Sequence, residues 1–175
     1  MGFLLLSGGA PLPANAQKAA PGYEVTLTAY NAVPGQTDES PLETASGAYS
    51  NPEIVAARSQ DLGSELPFGT IIELDGSTVS STGTCGFDVV EHRIGYRVIA
   101  DTMNAKFTKR VDVLLDTKAD YQTADRGKRN AAEILGICKG VTIRVVGHVD
   151  INRIPKTQAG LEAIVNGSAS ALALR

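Results

Sequence analysis

Tryptophan is absent from the 175 residues, and histidine and cysteine occur only twice each. Cys85 and Cys138 lie far apart and form no C-x-x-C, which excludes zinc-ribbon and thioredoxin-like sites. His92 and His148 are equally remote and sit in no ligand motif, so no metal is implied. The chain also lacks G-x-S-x-G, H-E-x-x-H and a glycine-rich phosphate loop. No cofactor is therefore expected. Basic runs are missing too, and the formal net charge is −3, which argues against nucleic acid as a partner. The apolar run Phe3–Leu6 is far too short to span a bilayer, so stable membrane insertion is not expected.

What is present points to a β-rich domain. Glycine is plentiful at 18, and turn residues separate short runs with strand character. Strands are expected over Tyr23–Tyr30, Ile54–Ala57, the "TIIELDG" segment from Thr70, Gly95–Asp101, Arg110–Asp116 and Gly140–Val149. Residues 31–52 form a long polar loop, and such loops in compact domains are usually functional or disordered. Pro67–Thr70 is a turn, and residues 76–86 read as an exposed turn or insertion. The segment Thr117–Gly136 reads as a helix, with Asp116 or Thr117 at its cap. A short helix is expected over Gln158–Val165, with a fraying tail behind it. About six strands with one substantial helix suggest a small β-barrel with helical decoration.

Three parts follow: a leader over 1–22, a barrel over 23–150 and a C-terminal extension over 151–175. Ala14-Asn15-Ala16 matches the small-residue rule for signal-peptide cleavage, although a basic start is missing. Export to the periplasm, envelope or medium and a plain flexible tail are both open readings. In an oxidising compartment the two cysteines could form one bridge, while two buried free thiols are the alternative.

The stretch "DTMNAKFTKRVDVLLD", Asp101–Asp116, raises the functional question. An ionised carboxylate on a half-buried strand costs several kcal/mol unless it is paired or wet. Strict alternation places Asp112, Leu114 and Asp116 on one face, opposite Val111, Val113 and Leu115. Taken alone, Asp112 is either a salt-bridge partner of Arg110 or Lys109, or a site residue. Asp101 could cap a turn, and Asp116 is read as structural. Tyr30 is either a sugar platform or a core tyrosine with a satisfied hydroxyl. Asp38, Glu39 and Glu43 read as solvated, with Glu43 a minor candidate for touching substrate.

The ordered set "LTAYNAVPGQTDESPLETASGAYS", "LPFGTIIEL" and "YRVIADTMNAKFTKRVDVLLDT" resembles the 3D, or three-aspartate, domain. That family includes the catalytic core of membrane-bound lytic transglycosylase A and small secreted cell-wall enzymes. The resemblance covers roughly residues 24–146 and implies a six-stranded double-psi β-barrel with one or two peripheral helices. It places the aspartates at 101, 112 and 116, with Asp112 as the acid and Asp101 as its electrostatic partner. It also implies peptidoglycan glycan strands as the partner of a monomer. Thr28, Tyr30, Thr44, Ser46, Lys106 and Arg110 are the expected substrate contacts. The glycine-rich segment of the transglycosylases is replaced here by "TMNAKFTKR", closer to smaller single-domain relatives.

A lytic transglycosylase can work with one carboxyl, used first as acid and then as base. Asp112 must then hold a proton near neutral pH, against a reference pKa of about 3.9. Burial and a nearby Asp101 raise that value, and Arg110 opposes the rise. The alternative function is a noncatalytic glycan-binding barrel, because the fold alone does not decide between the two.

Overall fold

β-Branched and aliphatic residues at alternate positions build most of the expected strands. The computed structural model describes residues 22–37, 40–77, 79 and 85–173. Its strands are β1 Gly22–Tyr30, β2 Val55–Arg58, β3 Thr70–Asp75, β4 Arg97–Thr102, β5 Arg110–Leu114, β6 Asp120–Thr123, β7 Gly127–Asn130 and β8 Cys138–His148. Six of them close into a barrel in the order β1-β5-β2-β4-β3-β8. The barrel is mixed: β1 with β5 and β2 with β4 run parallel, and the remaining pairs are antiparallel. The leader with Ala14–Ala16, the loop residues Asp38 and Glu39, and positions 78 and 80–84 lie outside the described residues.

Alternation sorts the side chains into two cores. Val25, Leu27, Ala56, Ile72, Ile99, Val111, Val113 and Ile143 belong to one cluster drawn from all six strands, which is the barrel interior. Val55, Ala57, Val98, Ala100 and Leu114 face the other way. Over this outer layer lie the loop after β1 and the helix α3 Gln158–Ala173, whose Leu161 is fully buried. The C-terminal segment is thus part of the fold, and its helix runs well past Val165. Gln158 docks it: its side chain accepts from Tyr96 N–H at 2.9 Å and donates to the carbonyls of Glu53 at 2.6 Å and Tyr96 at 2.8 Å.

One expected element is corrected. Thr117–Gly136 is not a helix; it holds the hairpin β6–β7 and only a five-residue helix, α2 Ala131–Leu135. The "ADRG" turn decides this, because Gly127 takes a φ of +68°, which ends β-hairpin loops and interrupts a helix. Asn130, not Asp116 or Thr117, caps the helix by accepting from Ala132 N–H at 2.9 Å. Asp116 is still structural, accepting from Lys118 N–H at 2.8 Å in the turn before β6. A further short helix, α1 Phe87–Val90, drops Phe87 and Val90 into the barrel core.

Cys85 and Cys138 form a disulfide across a separation of 53 residues, which decides between the two thiol readings. It ties the segment before Phe87 to the start of β8. No helix among the described residues is long and apolar enough to cross a membrane.

Arg97 is fully buried and has no carboxylate partner among the described residues. Instead its guanidinium donates to five carbonyls: Ile94 at 2.7 Å, Pro52 at 2.8 Å, Val55 at 3.4 Å, Leu114 at 2.9 Å and Arg93 at 2.7 Å. Burial pushes its pKa down to about 9, so it remains a cation at neutral pH.

Replacing both cysteines by serine removes about 4 kcal/mol of chain-entropy stabilisation. The expected result is a melting temperature lower by about 8–15 °C in calorimetry. Arg97→Leu leaves several buried carbonyls unpaired and is expected to cost about 3–5 kcal/mol in urea titrations.

Candidate active site

Strand register puts the two leading aspartates in one row. Thr28 on β1 pairs with Asp112 on β5, Asp112 with Ala57 on β2, and Ala57 with Asp101 on β4. Two strand spacings, roughly 10 Å, separate the Asp112 and Asp101 backbones. A small side chain at Ala57 leaves the space between the carboxyls open.

Simple alternation alone does not put Asp101 there. Ile99 faces the interior, so an unbroken strand would turn Asp101 inward as well. Between β2 and β4 the register slips: Ala56 pairs with Ile99, but Ala57 pairs with Asp101. Ala100 is the extra residue of a β-bulge, which turns Asp101 outward beside Asp112.

Asp101 is held firmly. Its Oδ1 accepts from Ala45 N–H at 2.9 Å and from Thr102 N–H at 2.8 Å. Its Oδ2 accepts from the Tyr30 hydroxyl at 3.1 Å. Burial and the Asp101 charge both drive the Tyr30 pKa far above its ordinary value, so the phenol stays a donor. Tyr30 is therefore a buried tyrosine with a satisfied hydroxyl, and its ring still lines the groove.

Asp112 differs in kind. Its Oδ1 is sealed from solvent without a hydrogen-bond partner, and no ion pair reaches it from Arg110 or Lys109. The salt-bridge reading of this residue is thereby set aside. Burial pushes its pKa up to about 6; the Thr28 hydroxyl and the Arg110 guanidinium pull it down, and Asp101 adds a smaller upward push. A carboxyl of this kind can give and take a proton near neutral pH.

Both carboxyls open onto a groove of about 520 Å³, shared with Tyr30, Glu43, Ser50 and Phe107. A second cavity, about 510 Å³, lies between Tyr49, Pro52, Ile54 and Ile154 and has no acidic side chain in its wall. Of these two, the first is the one with carboxylates in its wall, and it holds both Asp101 and Asp112. Among the described residues no group of three His, Cys, Asp or Glu side chains is arranged to hold a metal ion.

The other expected contacts separate into two groups. Thr28 stands beside Asp112, while Lys106 is exposed and Arg110 half-buried near the groove, both against the Phe107 ring. Thr44 is buried, and its hydroxyl is shared with Ser46 Oγ at 3.0 Å and the Ala48 backbone. Ser46 N–H donates to Ala100 O at 3.1 Å. The T-A-S-G turn thus grips the bulge and presents Ala45 N–H to Asp101, a positioning role for Thr44 and Ser46. Glu43, read mainly as solvated, is exposed and lines the groove. Asp116 lies in its turn and not in the groove wall. Sequence reasoning assigned no role to Phe107; an aromatic set among Lys106, Lys109 and Arg110 was the available signal.

The raised Asp112 pKa makes stability depend on pH in a defined direction. The folded state holds this proton up to about pH 6, whereas the unfolded chain releases it near pH 4. The resulting stability is fully present below pH 4 and is lost as pH rises through 6. Asp112→Asn removes this loss, so its stability relative to wild type should improve by roughly 1–3 kcal/mol between pH 4 and pH 8 in urea titrations. No protein-family model and no characterised protein sequence matches the chain, so the residues of this groove carry the functional argument by themselves.

Proposed function

We propose that this protein is a lytic transglycosylase of the three-aspartate family, cleaving the β-1,4 bond between N-acetylmuramic acid and N-acetylglucosamine in peptidoglycan. The observation that carries this reading is the Asp112 carboxyl, with one oxygen unpartnered in the groove wall and with its pKa pushed up to about 6. Protonated Asp112 donates to the glycosidic oxygen as the C1–O bond breaks. The resulting carboxylate takes the proton of the C6 hydroxyl as that oxygen bonds to C1, which closes a 1,6-anhydro ring and restores the acid.

Asp101 suits the part of a fixed anion and not that of a second proton carrier. Its oxygens are engaged by three donors, which hold its charge in place opposite the developing positive charge at C1. That arrangement favours a single-acid mechanism over the two-carboxylate hydrolysis of ordinary glycosidases. Thr28, beside Asp112, and Lys106 are the sugar contacts of this reading, and Tyr30 walls the groove.

The barrel is proposed to be of the double-psi type. Two parallel pairs, β1–β5 and β2–β4, joined by the antiparallel β5–β2 contact, support that topology. Export to the cell envelope fits a disulfide, which persists in oxidising compartments.

Purified protein incubated with peptidoglycan sacculi is expected to release anhydro-muropeptides, identified by mass. Asp112→Asn should lower the rate by roughly a hundredfold or more while the protein still pellets with sacculi. Because the acid form is required, the wild-type rate should fall as pH rises through about 6. Reducing ends in place of anhydro ends would point to a hydrolase. Sacculus binding without any soluble product would leave a binding barrel.

A further inference from the structure

Two buried side-chain atoms without a partner lie two residues apart on β5: Nε of Arg110 and Oδ1 of Asp112. Val111 and Val113 face the barrel interior, so Arg110 and Asp112 share the outer face. An unpaired buried donor beside an unpaired buried acceptor is costly, and an ion pair between them would relieve both. The pair is not made. Phe107 provides the reason: the Arg110 guanidinium carbon sits 4.6 Å from the ring centroid, and Lys106 Nζ lies 5.0 Å from it. The same ring lines the groove with Asp112.

The backbone here is pinned. Lys109 takes a φ of +47°, and its N–H donates to Asp61 Oδ2 at 2.9 Å. Arg110 N–H donates to Ser59 Oγ at 3.0 Å. Only the long side chain of Arg110 is left free to choose between ring and carboxyl.

We propose that Phe107 is a positioning residue: it holds the Arg110 guanidinium on its ring and off Asp112, so that Asp112 keeps its proton until the substrate takes it. This rests on the acid role proposed for Asp112 and adds a device to it. When Asp112 has passed its proton to the glycosidic oxygen, its new charge attracts Arg110. The guanidinium then swings from the ring to the carboxylate, and returns when the C6 hydroxyl gives its proton back. The groups around Asp112 agree with this. Thr28 and Tyr30 act on it from β1, Asp101 from β4 and Arg110 from its own strand, and Glu43 lines the same groove. Of these charges, Arg110 is the cation whose distance from Asp112 the Phe107 stack controls.

The test is the titration midpoint of the Asp112 carboxyl, followed by carbon-13 NMR in protein without glycan and assigned by its loss in Asp112→Asn. Phe107→Leu is expected to lower the midpoint by about one unit or more, as Arg110 reaches the carboxylate. Arg110→Gln is expected to raise it, and Phe107→Tyr, which keeps the ring, to leave it in place. The decisive variant combines Phe107→Leu with Arg110→Gln, where the effect of losing the ring should vanish. A fall that persists in the double variant marks entry of water and overturns the proposal, as does no fall in Phe107→Leu. If Phe107→Leu does not fold, Phe107→Met takes its place in the same cycle. The titration requires no turnover, so it is independent of the transglycosylase reading. Coupling without anhydro products removes the enzyme alone, and anhydro products without coupling remove this device alone.

Discussion

A buried guanidinium holds the site-bearing part of this barrel together. Arg97 spends its donors on carbonyls of the turn before β4, the loop before β2, β2 itself and β5. Val55 and Leu114, two of those acceptors, each lie two residues from the row that contains Ala57 and Asp112. Slippage of β2 or β5 would strand a charged donor in an apolar interior, which costs several kcal/mol. The register of β2 against β5, which aligns Ala57 with Asp112, is tied to this constraint. Among the described residues Arg97 has no carboxylate to pair with, and the surrounding carbonyl dipoles carry its charge.

On that frame the two aspartates receive opposite treatment. Asp101 accepts three hydrogen bonds and acts as a fixed anchor between the bulge of β4, the T-A-S-G turn and Tyr30. Asp112 is half-buried, with one oxygen sealed from solvent and unmet. A fold selected for stability alone would pair that oxygen or replace it, because its ionisation works against folding above about pH 6. Its retention is what the proposed acid role requires. Lys109 takes a left-handed backbone that is rare for a residue with a side chain, and its N–H is held by Asp61.

Much of the fold was legible because its signals are local. Alternation in "YEVTLTAY", "RVIAD" and "RVDVLLD" marks strands directly, and the parity of Val111, Val113 and Leu115 against Asp112 and Leu114 holds in the structure. The misread segment, Thr117–Gly136, shows the limit of such signals. Its composition suits a helix, but one glycine at the end of "ADRG" turns it into a hairpin. The T-A-S-G segment was legible as a feature, and the structure adds that the Thr44 hydroxyl bonds within the loop, to Ser46 and Ala48.

The sequence by itself determined which residues are strand-formers, which side of β5 carries Asp112, and that carboxylates cluster where a core strand should be apolar. These follow from side-chain chemistry and a period of two, which need no partner strand. Only the tertiary structure decided that Asp101 faces the same way as Asp112, that Arg110 lies on Phe107, and that Cys85 meets Cys138. Each depends on registers and closures between segments distant in the chain. A one-residue slip between β2 and β4 reverses the direction of a side chain, and no local pattern encodes that slip.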